Sequence, residues 1–329
     1  MRLAKLAGLT ALLLVPAGSA QASLQDFFAE LFGRPDRPVL RASYEIRQFE
    51  TREVKQTPDK LSLRQHSFNG SVPLNRLSDK RWRLLTEAKL DEVGSSARFP
   101  DGRGVPNKLW NLNAGFSHLR QLSEDRTIGG TFEVGSASDQ PFGAFRDTIF
   151  QANAIYKVPA EGDAVWIFLL NWSNNRSFAN YLPIPGAAYF FRPTESVRLA
   201  LGLPFFMAFW SPFDKAVVNV TYFPLNSGTL RFSYFVFGPA QAYAQVKYQT
   251  KNYYLSERKK ERERLFYEEA VAELGFSMPL ERNLSVDANA GLSFDRKYFF
   301  GEETTDKRDG LLIRPDKSAF ATLRLNATF

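Results

Sequence analysis

The sequence predicts an all-β fold: a transmembrane up-and-down antiparallel barrel of about 14 strands (roughly 12 to 16) behind a short amphipathic helix. Three observations carry that expectation. Apolar and polar residues alternate with period two in segments of about ten residues, the span of a tilted membrane strand. The connections are of two kinds, short turns and long loops, which mostly take turns along the chain. Aromatic residues are 14% of the chain, with 30 Phe and 12 Tyr, and the absence of cysteine excludes disulfides, thiolate metal sites and cysteine nucleophiles.

The start of the chain reads as an export signal. Arg2 and Lys5 precede an apolar run over 6–15, and the small residues Ser19, Ala20 and Ala22 supply a cleavage site, giving a signal peptide over 1–22. The run is too short to cross a bilayer as a helix. Residues 23–37 form an N-terminal periplasmic helix or plug segment. Leu24, Phe27, Phe28, Leu31 and Phe32 share one helical face, Ser23 caps the start, and Gly33 and Pro35 end it. The barrel then occupies 38–329.

Its strands follow in order. Leu40, Ala42, Tyr44 and Ile46 alternate with Arg41, Ser43, Glu45 and Arg47. Trp82, Leu84, Ala88 and Leu90 alternate with Arg81, Arg83, Glu87, Lys89 and Asp91. Similar segments run through Phe68, Trp110, Phe132 and Phe150, and later through Ala270 to Phe276 and Leu284 to Phe294. Short turns fall at 76–78, 123–126, 159–163, 193–195, 224–228 and 279–282. Long loops fall at 94–107, 136–144, 173–186, 251–263 and 301–315. Short turns on the periplasmic side and long loops outside put both termini on one side and require an even strand count. Over 230–249, Gly238-Pro239 reads either as a bulge or as an extra turn.

The last strand alternates Ala319, Ala321, Leu323, Leu325, Ala327 and Phe329 with mostly polar residues, Phe320 being the exception. This terminus resembles the C-terminal strand of bacterial outer-membrane β-barrels, where a final aromatic helps present the chain to the insertion machinery. The resemblance extends over nearly the whole chain after the signal. Segments such as Gly135-Ser-Ala-Ser-Asp-Gln-Pro-Phe142 and Leu201-Gly-Leu-Pro-Phe205 look like the uncharacterised monodomain barrels of unknown function. It implies residence in the outer membrane of a Gram-negative bacterium, with outer-membrane lipids and lipopolysaccharide as surroundings and the barrel-assembly machinery as a partner during insertion.

With the apolar parity facing lipid, the other parity lines the lumen. The polar candidates are Arg41, Glu45, Arg47, Arg83, Glu87, Lys89, Glu269, Glu273, Asp287 and Arg324, with both signs present. They read as an internal ion-pair network or as the charged lining of a pore. Residues 164–170 and much of 186–210 are apolar at both parities, so some apolar side chains point inward there. Tyr189, Phe191, Phe205 and Phe206 are candidates for a hydrophobic pocket, or for packing against a plug. Trp82, Trp110, Trp166, Trp172 and Phe329 sit near strand ends, where indoles and aromatic rings prefer the bilayer interface.

Enzyme chemistry finds little support. The two histidines, His66 and His118, fall on the outward parity, and neither has a Ser two residues on. No metal-ligand spacing, phosphate loop or nucleic-acid signature is present, and no cofactor is implied. The charge run 258–264 reads as an outer loop, either solvated or pairing with lipopolysaccharide phosphates. The expected function is a non-enzymatic, porin-like passive channel for small solutes. The alternatives are a transporter of a hydrophobic compound through an aromatic-lined lumen, and a closed structural or binding barrel.

Overall fold

The structure is a computed structural model that describes residues 40–55, 57–75, 80–307 and 311–329. The expected signal peptide, the helix in 23–37 and the turn at 76–78 lie outside the described residues. The strands are β1 (Arg41–Phe49), β2 (Arg52–Glu53), β3 (Lys60–Pro73), β4 (Lys80–Ser95), β5 (Lys108–Gln121), β6 (Thr127–Ser138), β7 (Thr148–Pro159), β8 (Val165–Ser173) and β9 (Ile184–Thr194). They continue with β10 (Val197–Leu203), β11 (Phe206–Phe213), β12 (Ala216–Phe223), β13 (Ser227–Phe237), β14 (Ala240–Tyr253), β15 (Arg264–Glu281), β16 (Leu284–Gly301) and β17 (Ser318–Thr328). Sequential neighbours pair antiparallel, and β1 pairs with both β3 and β17, so the sheet closes on itself. The two-residue β2 only extends the β3 ladder, which leaves a barrel of 16 strands.

Closure removes every sheet edge, which a sheet in lipid requires because unpaired backbone groups there find no water. Among the described residues, helix is limited to single 3-10 turns at Phe145–Asp147 and Thr304–Asp306.

The count of about 14 is corrected to 16. Two turns hide in the apolar stretch. The chain reverses at Pro204-Phe205, which leaves no polar gap in the sequence, and again at Asp214-Lys215, where the polar gap is only two residues long. Gly238-Pro239 is a turn between β13 and β14, not a bulge, with Gly238 at φ 49°. The turns at 204–205 and 224–226 both open at the end opposite the termini, the end expected to be extracellular, so two short connections lie there. The five loops expected to be long all lie at that end.

Inner and outer faces separate by parity. On β17, Ser318, Phe320 and Thr322 are buried, while Ala319, Ala321, Leu323 and Leu325 are exposed. The same rule puts Tyr44, Phe68, Trp82, Phe116, Phe132, Trp166, Leu274 and Leu292 on the outside. So broad an exposed apolar surface over a polar interior is the inversion expected of a cylinder in lipid. At the extracellular end the outer face of β1, β3 and β4 turns polar at Gln48, Arg64 and Glu92, where Arg64 Nε donates to Gln48 Oε1 at 2.6 Å. The apolar band ends there.

The barrel is not equally tall all round. β15 and β16 have 18 residues each, whereas β10, β11 and β12 have 7, 8 and 8. The tall strands carry an apolar cluster inside the extracellular mouth. Phe49, Leu61, Leu63, Val93, Leu109, Tyr253, Leu265, Tyr298 and Phe320 pack there beneath Val54, Phe99, Val105, Leu255 and Ile313 from the loops. This explains the one apolar residue on the wet parity of the last strand: Phe320 lies 5.2 Å from the Phe49 ring, with the Arg47 guanidinium 4.8 Å from its own.

Candidate functional site

The interior below that cluster is the candidate site. All ten polar lumen candidates lie on inward-facing positions. Arg41 is at the periplasmic end, opposite Thr328 and Ser71. One wall, built by β13 to β17 and β1, holds a continuous charge network. Glu45 stands directly across from Arg324, and the two form an ion pair. Arg47 reaches three carboxylates: Glu273 at 3.4 Å, Glu269 at 3.8 Å and Glu45 at 3.9 Å, while its Nε donates to Thr322 at 3.0 Å. Gln245 and Gln249 donate to Glu273 and Glu269, both at 2.8 Å. Asp287 accepts from the Tyr243 hydroxyl at 2.6 Å and lies 3.8 Å from Arg231, whose guanidinium covers the Tyr243 ring. Gly275, across the ladder from Tyr243, makes room for that ring; a Cβ there would come within 2.3 Å of it.

The facing wall, β3 to β7, is polar in a different way. Arg83 Nε donates to Ser71 Oγ at 2.7 Å, and Lys89 pairs with Glu87. Amides predominate above them: Asn113 bonds Glu87 at 3.1 Å and Asn111 at 2.8 Å, and Asn153 links Thr131 and Asn171. The two walls meet across the lumen. Lys251 on β14 places Nζ 3.0 and 2.9 Å from the two carboxylate oxygens of Asp91 on β4, and the Tyr253 hydroxyl donates to the same group. Together with Lys89 and Gln249, Lys251 separates two chambers, one of about 80 Å³ under the extracellular roof and one of about 50 Å³ beside Glu45, Arg47 and Arg324.

The apolar candidates divide. Phe205 is inside, in a patch with Leu119, Ile155, Ile167, Ala188, Ala200 and Phe223. Tyr189, Phe191 and Phe206 do not join it: they are on the outer face. Tyr189 pairs with the exposed Trp166, its ring 4.9 Å away, and stacks near Phe191, while Phe206 lies across from the exposed Tyr222. Parity in this stretch had been obscured by its uniform apolarity; the inward residues are the neighbours Phe190 and Met207. The interfacial aromatics form two levels. Trp82, Trp166 and Phe329 are outward near the periplasmic end, and Trp110 and Trp172 near the extracellular one, where Trp172 Nε1 donates to the Tyr181 carbonyl at 2.9 Å.

Above the chambers, residues 254–263 between β14 and β15 fold across the mouth as a strap. The Tyr254 amide donates to the Ala137 carbonyl at 2.8 Å, and Ser256 bonds Asp139 through both its amide and its hydroxyl. Arg258 pairs with Asp147 at 2.5 Å, both side chains being almost fully buried. Lys259 reaches Asp101 at 3.0 Å, and Glu263 takes two bonds from Arg103. Two of the five basic residues in the run, Arg258 and Lys259, thus pair with the protein's own carboxylates, while Arg264 donates to the Arg176 and Glu302 carbonyls and Arg262 lies over the Tyr181 ring. The Arg103 hydrogen bond, the largest effect, holds the Asp101 carboxyl well below its usual range. For Glu263, burial pushes upward, but the Arg103 and backbone hydrogen bonds outweigh it and the net shift is down.

His66 and His118 both face outward. His66 bonds the Tyr44 hydroxyl at 2.8 Å, and His118 stacks on Trp82 at 4.1 Å. Neither meets a serine. Among the described residues no group of His, Asp and Glu is arranged to hold a metal ion. Residues that sequence reasoning passed over are the inward amides and the strap's anchors, Asp101, Asp139 and Asp147. Alternation already placed Asn111 and Asn113 on the wet face; the anchors sit in loops, where no periodicity marks them.

A closed, outwardly apolar barrel with a charged interior defines an outer-membrane-type β-barrel. No family model and no curated protein matches the chain. Among solved structures it is similar to an outer-membrane channel from Pseudomonas putida F1, at 9% identity over 89% of this chain and 96% of that one, TM-score 0.41. It is also similar to the P. putida toluene transporter TodX (8%, covering 91% and 93%, TM-score 0.39) and to a Pseudomonas aeruginosa FadL homologue (11%, covering 92% and 93%, TM-score 0.37). Likeness at this level adds nothing to the barrel already described.

Proposed function

We propose that the protein is an outer-membrane channel for small polar solutes, held here in a closed state. The observation that supports this reading most directly is the charged lumen: Arg47, Arg324, Glu45, Glu269 and Glu273 on one wall face the Glu87–Lys89 pair and the amides of the other. Charged groups lining both walls of a 16-stranded cylinder call for water between them, and a barrel of this size is wider than the eight-stranded kind that side chains fill. Such a lumen conducts once its mouth opens. The strap and the apolar cluster beneath it close that mouth, so conductance at rest is low.

A specific observation favours a second reading. The patch around Phe205, Phe190, Met207 and Phe223 gives the inner wall an apolar half, suited to a hydrophobic compound. Purified protein in planar bilayers separates the two. Stepwise currents that increase when the strap is loosened support the solute channel. No current under any condition, with a hydrocarbon retained in the purified barrel, would overturn it in favour of the second.

A further inference from the structure

The chamber beneath the strap is unlike the charged wall around it. Of its sixteen lining residues seven are Asn or Gln, among them Asn111, Asn113, Gln151, Asn175, Gln249 and Asn252. Its cations are held by the protein itself: Lys89 by Glu87, Lys251 by Asp91, and Arg176 by the backbone carbonyls of Asn171, Ala179 and Leu182. An amide offers a donor and an acceptor together, as a hydroxyl does, whereas an ion would call for unpaired charge. The Gln151 amide nitrogen is buried without a partner, an unmet donor at the chamber wall. Ile149 and Tyr253 add an apolar flank.

Size points the same way. A cavity of about 80 Å³ holds about six waters at ~13 Å³ of accessible space apiece, and at ~30 Å³ each those waters fill ~180 Å³ of liquid. A hexose ring with its hydroxyls occupies about the same volume. We propose that this amide-lined chamber is a binding site for a neutral polyhydroxylated solute of monosaccharide size. The proposal rests on the solute-channel reading and names the class of solute.

The test is binding to the full-length barrel in a zwitterionic, sugar-free detergent. Saturation-transfer NMR titrations with glucose and arabinose are run beside glucuronate, glucosamine and toluene. The expected result is saturable binding of the neutral sugars, stronger than of either charged analogue. Gln151→Leu should weaken it about fivefold, the equivalent of one neutral hydrogen bond. Asn226→Ala, in the short turn between β12 and β13, should weaken it also, and Leu323→Ala on the lipid face should not. Absence of saturable neutral-sugar binding, glucuronate or glucosamine binding more tightly, or displacement of glucose by toluene would each overturn the proposal. Sugar binding without current would remove the channel and leave the site; current without sugar binding would do the reverse.

Discussion

Arg103 clasps Glu263 with two guanidinium nitrogens, at 2.6 and 3.2 Å, across 160 residues of sequence. One partner comes from the loop after β4 and the other from the end of the strap, so the pair ties the strap to the rim. Its guanidinium also lies 3.6 Å from the Phe300 ring centroid, which fixes the fork in place.

Glu263→Gln and Arg103→Ala should therefore loosen the strap without unfolding the barrel. Single-channel recordings should show an open fraction raised several-fold. A double-mutant cycle on unfolding should return a coupling of about 1 kcal/mol or less, because the pair is partly solvated. Unchanged gating in both variants would mean that the strap does not close the path.

Acid should open the same latch. The carboxyls of Asp101 and Glu263 titrate below their usual range when folded. A depressed carboxyl adds stability that is complete above its unfolded value, about 4, and is lost as pH falls through the folded value. Conductance should stay constant from pH 7 to about 5 and rise only below about 4. An increase already complete at pH 6 would exclude these two groups as its cause.

Ion selectivity should follow Arg47. Its guanidinium is the shared partner of Glu45, Glu269 and Glu273, so Arg47→Gln leaves a surplus of negative charge at one height of the lumen. Reversal potentials across a KCl gradient should move toward cation preference. The variant should also lose about 3 kcal/mol of stability, the usual cost of stripping one partner from a buried pair. Selectivity that does not move would show that ions bypass this wall.

Phe320 and Leu323 give a stability contrast within one strand. Phe320 is 4% exposed and faces inward, whereas Leu323 is 47% exposed and faces lipid. Phe320→Ala should cost about 3 to 5 kcal/mol through the cavity it leaves. Leu323→Ala should cost about 1 kcal/mol or less, since lipid or detergent refills the gap. Urea unfolding followed by gel mobility reads both, and equal losses would contradict the assigned faces.

Much of this was legible from residues alone, and the limits have physical causes. Period two is a direct image of the pleat, so Glu45, Arg47, Glu87 and Arg324 could be set on the wet side before any coordinates were known. Where both faces are apolar the parity is lost: of Tyr189, Phe191, Phe205 and Phe206 only Phe205 lies inside, beside Phe190 and Met207, which no pattern singles out. Alternation also fails at two-residue turns such as Pro204-Phe205, which contain too few polar residues to interrupt an apolar run. The strap was visible as a charge run, but its partners Asp101 and Asp147 are more than a hundred positions away, and no local pattern encodes a meeting at that separation.

The short wall of β10, β11 and β12 has a consequence for the surrounding bilayer. An eight-residue strand is ~26 Å long and, tilted by ~45°, rises only ~19 Å, against ~25 Å for the usual apolar band. Acyl chains on that flank must compress or splay to meet it, while those beside β15 and β16 need not. The protein therefore carries a one-sided dimple in its lipid annulus, and two copies drift together most cheaply with their dimples merged.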